Sequence, residues 1–299
     1  MMTFRNVTKR FEGKTALSDI SLSVAPACVY GLVGTNGSGK STLLRLMSGV
    51  YSPDAGDIAI DDSPVFENPD VKQHVFFVSD DLWFHPQATL ESCADFYRAA
   101  YPGWNEARYD HLCELFPIGK TGRLATYSKG MRRQAALILA LSCAPQYLLL
   151  DEAFDGLDPV IRFAVRKIIS DMISEYGMTV IISSHNLREL EDFCDRVGLL
   201  HGGKMLLECA MDEIRIGFTK VQAVFRPMPE KLELPNLRVL SQSVSGSVAT
   251  LVVQAGEQDA LAAVGTLSPI LCEAVSLTLE EVFIYEMEAV GYDYTKIIF

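Results

Sequence analysis

Gly34-Thr-Asn-Gly-Ser-Gly-Lys-Ser41 has the spacing G-x-x-x-x-G-K-S and lies between a β-branched run and a helical pattern. Glycines in such a loop let backbone N–H groups turn inward around oxygens that a Cβ would push away. A helix beginning near Lys40 adds its positive dipole end to the same anion site. Lys40 can reach the β- and γ-phosphates of a nucleotide, and the Ser41 hydroxyl can ligate Mg²⁺. Gly34, Thr35, Asn36, Gly37, Ser38, Gly39 and Thr42 are the remaining candidates for the phosphate cradle. This pattern implies nucleotide binding.

Two carboxylates, Asp151 and Glu152, end the apolar run Leu148-Leu-Leu. Acidic turns end many strands, so the pair alone says little; beside the loop it supplies what hydrolysis still lacks. Asp151 can hold Mg²⁺, usually through a water, and Glu152 can polarise an attacking water as general base. His185 follows a second apolar run, Thr179-Val-Ile-Ile-Ser-Ser, at the edge where ligands gather in parallel sheets.

The elements that must position these groups are legible from periodicity. Strand-like runs at 27–33, 74–78, 147–150, 179–183 and 197–200 alternate with helical patterns at 42–48, 92–100, 129–142, 160–174 and 187–194. That alternation predicts a largely parallel α/β sheet, with helices covering both faces of strands such as Tyr147-Leu-Leu-Leu. Between about 82 and 145 the pattern is mainly helical, which predicts a helical subdomain inserted into a sheet domain spanning 1–216. After Ile216 the pattern becomes alternating strands, broken by Ser-Gly-Ser at 245–247, with helices near 259–264 and 278–289. Residues 217–299 are therefore expected to form a small C-terminal α+β domain.

Composition narrows the class. Apolar residues make up 49% and charged residues 21% of 299, as in a folded globular protein. No run approaches the eighteen or so apolar residues of a membrane-spanning helix, so work at a membrane needs a separate partner. The seven cysteines are scattered and lack Cys-x-x-Cys spacing, which fits reduced cytosolic thiols and not a zinc site. The net charge of −12 is acidic in both parts, without the basic excess of a nucleic-acid binder.

The phosphate loop, Ser128-Lys-Gly130, Asp151-Glu152, Gly156-Leu-Asp158 and His185 occur in the order and rough spacing of ABC-transporter nucleotide-binding domains. Residues 2–215 resemble that family, most nearly the ATPases of ABC-2-type exporters encoded beside GntR-like regulators in Gram-positive bacteria. The resemblance implies a P-loop NTPase fold, MgATP hydrolysis, and a head-to-tail dimer with ATP sandwiched between subunits. The second subunit is either a copy of this chain or a related ATPase. An integral-membrane permease would hold the dimer at the cytoplasmic face of the membrane, with a groove near Asp80–Tyr101 receiving one of its cytoplasmic helices.

Carried over by position, Phe11 resembles the aromatic that stacks on adenine, and His185 the switch that contacts the γ-phosphate. Ser128 and Gly130 resemble the signature residues offered in trans to the other subunit's ATP, and Asp158 the residue coupling the two subunits. Three positions depart from the family pattern: Lys129 replaces a glycine, Met131 replaces the signature glutamine, and Asp80 stands where a glutamine usually senses Mg²⁺. Asp80 is accordingly expected to reach the metal or the attacking water.

Two other classes compete. A soluble ABC ATPase without a transport role, such as one in cluster assembly, would lack a membrane partner. The 87 positions between Ser41 and Ser128 leave no room for the long coiled coil of chromosome-maintenance relatives. A P-loop kinase or GTPase would leave Ser128-Lys-Gly130 without a purpose.

Overall fold

The computed structural model describes residues 1–229, 231–234, 236–275 and 277–289. They divide into two compact units: one joins Met1–Asn186 with Phe193–Glu208, the other joins Leu187–Asp192 with the chain from Cys209 onward.

The first unit opens with a hairpin of β1 (Met2–Phe11) and β2 (Lys14–Val24), paired antiparallel with Phe11 opposite Lys14. Glu12 and Gly13 both have positive φ (46° and 81°), the backbone of a two-residue turn whose twist suits a hairpin. The chain continues through β3 (Val29–Val33), α1 (Lys40–Met47), β4 (Ala55–Ile60), β5 (Ser63–Pro64), α2 (Pro69–Lys72) and β6 (Val75–Val78). Next come α3 (Leu90–Ala100), α4 (Glu106–Leu115), α5 (Lys129–Ser142), β7 (Tyr147–Asp151), α6 (Pro159–Tyr176) and β8 (Thr179–Ser184). The short α7 (Leu187–Glu191), which belongs to the second unit, precedes β9 (Arg196–His201) and β10 (Lys204–Ala210) in the chain.

Two sheets result. One has the order β2-β1-β4-β5, and the other the order β10-β9-β3-β8-β7-β6, in which β9, β3, β8, β7 and β6 run parallel. The expected parallel α/β sheet is therefore present, and the antiparallel sheet from residues 2–64 is an addition to it. Every residue of β3, β7 and β8 is buried, because sheet neighbours and helices cover them on all sides. Leu43, Leu44, Leu46 and Met47 of α1 join one core with Phe4, Leu22, Ile58, Tyr30 and Leu149. Each fully buried leucine there contributes about 1.5–3 kcal/mol of transfer free energy. This packing fixes α1, and with it the loop that precedes it.

The second unit contains α8 (Met211–Gly217), β11 (Thr219–Val224), β12 (Arg238–Ser245), β13 (Val248–Gln254), α9 (Glu257–Gly265), β14 (Leu271–Val275) and α10 (Leu279–Ala289). Its sheet is antiparallel in the order β12-β13-β11-β14. Alternate residues Val221 and Ala223, with Leu251 and Ala249 opposite, form its core with Ala260 and Val264 of α9. The Ser-Gly-Ser break is the β12–β13 turn, where Gly246 takes φ 62°. No helix among the described residues is long and apolar enough to cross a membrane.

Candidate nucleotide site

The segment between β3 and α1 is shaped by its glycines. Gly37 and Gly39 take φ values of 79° and 113°, backbone that L side chains rarely adopt. A Cβ on Gly39 would also stand 2.7 Å from Leu17 Cδ2 and 3.0 Å from the Ala16 carbonyl oxygen. Gly39→Ala is therefore expected to cost about 1–3 kcal/mol in backbone strain and to weaken ATP binding at the same time. Thermal unfolding and a fluorescent-nucleotide titration check it; an unchanged midpoint with unchanged affinity would refute it.

Lys40 is 6% exposed, and its Nζ donates to the carbonyl oxygens of Gly34 at 2.7 Å and Thr35 at 3.4 Å. Burial lowers the pKa of this ammonium, against the opposing pull of Glu152 and Asp151. Glu152 Oε1 is 3.9 Å from Lys40 Nζ. A cavity of about 600 Å³ opens beside the loop, walled by Asn36–Thr42, Lys14–Ala16, Gly202, Gly203, Asp80 and Glu152.

β7 delivers the two carboxylates. Asp151 is completely buried; its Oδ1 accepts the Ser183 hydroxyl at 2.7 Å, while its Oδ2 has no hydrogen-bond partner. Glu152 holds a left-handed backbone, φ 49°, and its N–H donates to the Ser183 carbonyl and hydroxyl oxygens at 3.2 and 3.1 Å. A non-glycine residue held this way marks a position that its surroundings over-determine.

Glu152 Oε2 lies 2.8 Å from His185 Nδ1 and accepts the His185 backbone N–H at 3.2 Å. That hydrogen bond raises the His185 pKa, opposed by burial and helped by the charges of Glu152 and Asp155. A histidine with a raised folded pKa contributes stability that is fully present below its unfolded pKa, near 6.5. The contribution disappears as pH rises through the folded pKa. The gap in unfolding midpoint between wild type and His185→Gln is thus expected to be widest below about pH 6.5 and to shrink above it. A gap that is constant across melts taken on both sides of this range would refute the coupling.

The remaining candidates lie elsewhere. Phe11 stands outside the cavity lining, 39% exposed, its ring edge-on to Tyr51 at 5.2 Å with Lys9 Nζ 5.3 Å from its centroid. Ser128 caps α5, its hydroxyl accepting from Met131 N at 3.2 Å. Gly130 packs so closely that a Cβ would meet the Gly156 carbonyl oxygen at 2.7 Å. Asp158 caps α6, Oδ1 accepting from Val160 N and Ile161 N at 3.0 Å each. Within one chain the structure therefore gathers Lys40, Asp151, Glu152 and His185, and leaves Phe11, Ser128, Gly130 and Asp158 apart.

Asp80 does wall the cavity, and its Oδ1 accepts from Arg133 Nη2 at 2.8 Å, with Lys129 Nζ at 3.8 Å. Lys129 thus faces Asp80, and these two of the departures from the family pattern are neighbours. Sequence reasoning missed Arg133, Ser183 and Tyr51. The only signal for Arg133 was a cation within a helix that is otherwise apolar from Ala135 onward.

The family pattern described as "ABC transporter" matches residues 17–155. The chain is 29% identical over 285 residues to the ABC transporter ATP-binding protein YtrB of Bacillus subtilis (strain 168), covering 95% of this chain and 97% of that one. It is 31% identical over 233 residues to the daunorubicin resistance ATP-binding protein DrrA3 of Streptomyces coeruleorubidus, covering 75% and 73%. A solved ATP-binding subunit of an ABC transporter superposes with a TM-score of 0.67 at 25% identity, over 72% of this chain and 92% of that one. The chain belongs to the ABC transporter ATP-binding family, and its fold is that of the ABC ATPase cassette.

Proposed function

We propose that the chain hydrolyses ATP to power export through a separate membrane permease, acting as a dimer at the cytoplasmic face of the membrane. The observation that carries this reading is the convergence on one loop of Lys40, buried Asp151, and Glu152 held between Lys40 and His185. Lys40 neutralises and orients the phosphates, and Glu152 takes a proton from the attacking water, with His185 holding its carboxylate toward the loop. The orphaned, fully buried Asp151 Oδ2 and the Ser41 hydroxyl are hard oxygen donors that fit Mg²⁺. The metal, once bound there, supplies charge neutralisation of the phosphates. Asp80, on the wall of the same cavity, supports a place beside the metal or the attacking water.

Ser128, Gly130 and Asp158 lie away from their own chain's cavity, which favours their presentation to the ATP of a second chain. Val160 and Phe163, just beyond Asp158, are 75% and 72% exposed, apolar surface suited to covering by another subunit. Phe11 is the proposed adenine contact. Similarity to a protein named for daunorubicin resistance supports export. The second unit is proposed as a packing module that stabilises the dimer.

The test is copurification followed by phosphate release. An integral membrane protein should accompany the full chain, and the complex should hydrolyse ATP only with Mg²⁺. Soluble partners alone, or no phosphate release from the complex, would sink the proposal.

A further inference from the structure

Arg133 is the largest of the completely buried side chains among the described residues. A guanidinium taken out of water costs least where its donors are met; here Nη1 and Nη2 are met while the buried Nε has no hydrogen-bond partner, so what the two arms hold is informative. Nη2 donates to Asp80 Oδ1 at 2.8 Å. Nη1 donates to the carbonyl oxygen of Glu152 at 2.8 Å and to that of Asp151 at 3.3 Å. One rigid fork therefore spans the end of β6 and the end of β7. On the β7 side it grips the peptide of Glu152, the residue whose φ of 49° needs outside support. The Ser183 carbonyl and hydroxyl oxygens hold the same residue's N–H from the opposite side.

The two ends of the fork differ in freedom. The Asp80 side chain is 49% exposed, on a loop leaving the sheet, whereas Arg133 is anchored in α5. Lys129, 61% exposed and one helical turn before Arg133, offers Asp80 a second cationic partner at 3.8 Å. Asp80 can change partners without unfolding anything, and when it does the guanidinium loses its counter-charge.

We propose that Arg133 is a positioning residue that keeps the Glu152 backbone in its left-handed setting only while Asp80 holds its other arm. Asp80 then acts on hydrolysis through the fork. A displacement of the β6–α3 loop reaches the general base as a shift of its peptide. This rests on the reading of Glu152 as that base.

The experiment is a double-mutant cycle on the full chain with MgATP, using Asp80→Asn, Arg133→Gln, their combination, and Arg133→Lys. Each single change is expected to lower kcat about tenfold or more, with KM for ATP within about twofold, because neither side chain belongs to the phosphate loop. The double variant is expected to be no slower than the worse single variant. Arg133→Lys keeps the charge and loses the fork, so it should leave kcat low. Losses that multiply in the double variant, a KM that rises as kcat falls, or full activity in Arg133→Lys would each overturn the proposal.

A second measurement stands apart from activity and from the folding of Arg133 variants. Amide hydrogen exchange at 151–153 should quicken in Asp80→Asn, a change at an exposed side chain that touches none of those residues. Unchanged exchange there overturns the inference even if the chain turns over no ATP. A wild-type chain that hydrolyses nothing while exchange quickens as expected would instead refute only the hydrolytic reading.

Discussion

Glu152→Gln is expected to slow ATP turnover by roughly 10²–10⁴-fold while leaving MgATP binding nearly intact. The substitution is close to isosteric, and an amide oxygen can still accept the His185 backbone N–H that Glu152 Oε2 now receives at 3.2 Å. What it cannot do is take a proton from water. The Glu152 side chain is only 13% exposed, so bulk solvent offers no ready substitute for the proposed base. Loss of the charge beside Lys40 makes phosphate binding no worse, since the carboxylate and the γ-phosphate repel each other. Single-turnover phosphate release and an equilibrium ATP-binding assay separate the two effects. Turnover above a tenth of wild type would remove Glu152 from the role of base.

Lys40→Met is the complementary experiment, with the expected loss in binding. The ammonium is the one buried cation on the cavity wall; Lys14, the other cation there, is exposed to solvent. In a site sheltered from water such a pair is worth several kcal/mol, so ATP affinity should fall by about a hundredfold or more. Fold stability should change far less. Removing the ammonium deletes its bonds to Gly34 and Thr35 but also deletes its own desolvation cost. A calorimetric titration beside a thermal melt reads both. An affinity within tenfold of wild type, or a melt lowered as much as for a core deletion, would contradict this account.

Legibility in the sequence followed the reach of the interactions. The phosphate loop and the apolar runs ending in Asp151 and Ser184 declare themselves locally, because glycine placement and hydrophobic pattern are properties of a few neighbouring residues. The hairpin of β1 and β2 was passed over, since its strands mix exposed and buried positions without strict alternation. Its Glu12-Gly13 turn is a less obvious signal than Asn-Gly or Asp-Gly. The pairing of Asp80 with Arg133 joins residues 53 positions apart and has no local signature at all. Ser183 likewise looked like the polar end of a strand, yet it holds both Asp151 and Glu152. The conformation of Glu152 depends on these two distant partners.

Strand order has a mechanical consequence. β3, which leads into the phosphate loop, is laced to neighbours on both sides, whereas β6 sits at the sheet's rim with only β7 beside it. Peeling the end of a rim strand breaks one ladder of hydrogen bonds, and shifting a central one breaks two. The segment that carries Asp80 is therefore the compliant member of the sheet and the phosphate loop the stiff one. A push arriving from outside would bend the rim first and leave the grip on the nucleotide unstrained.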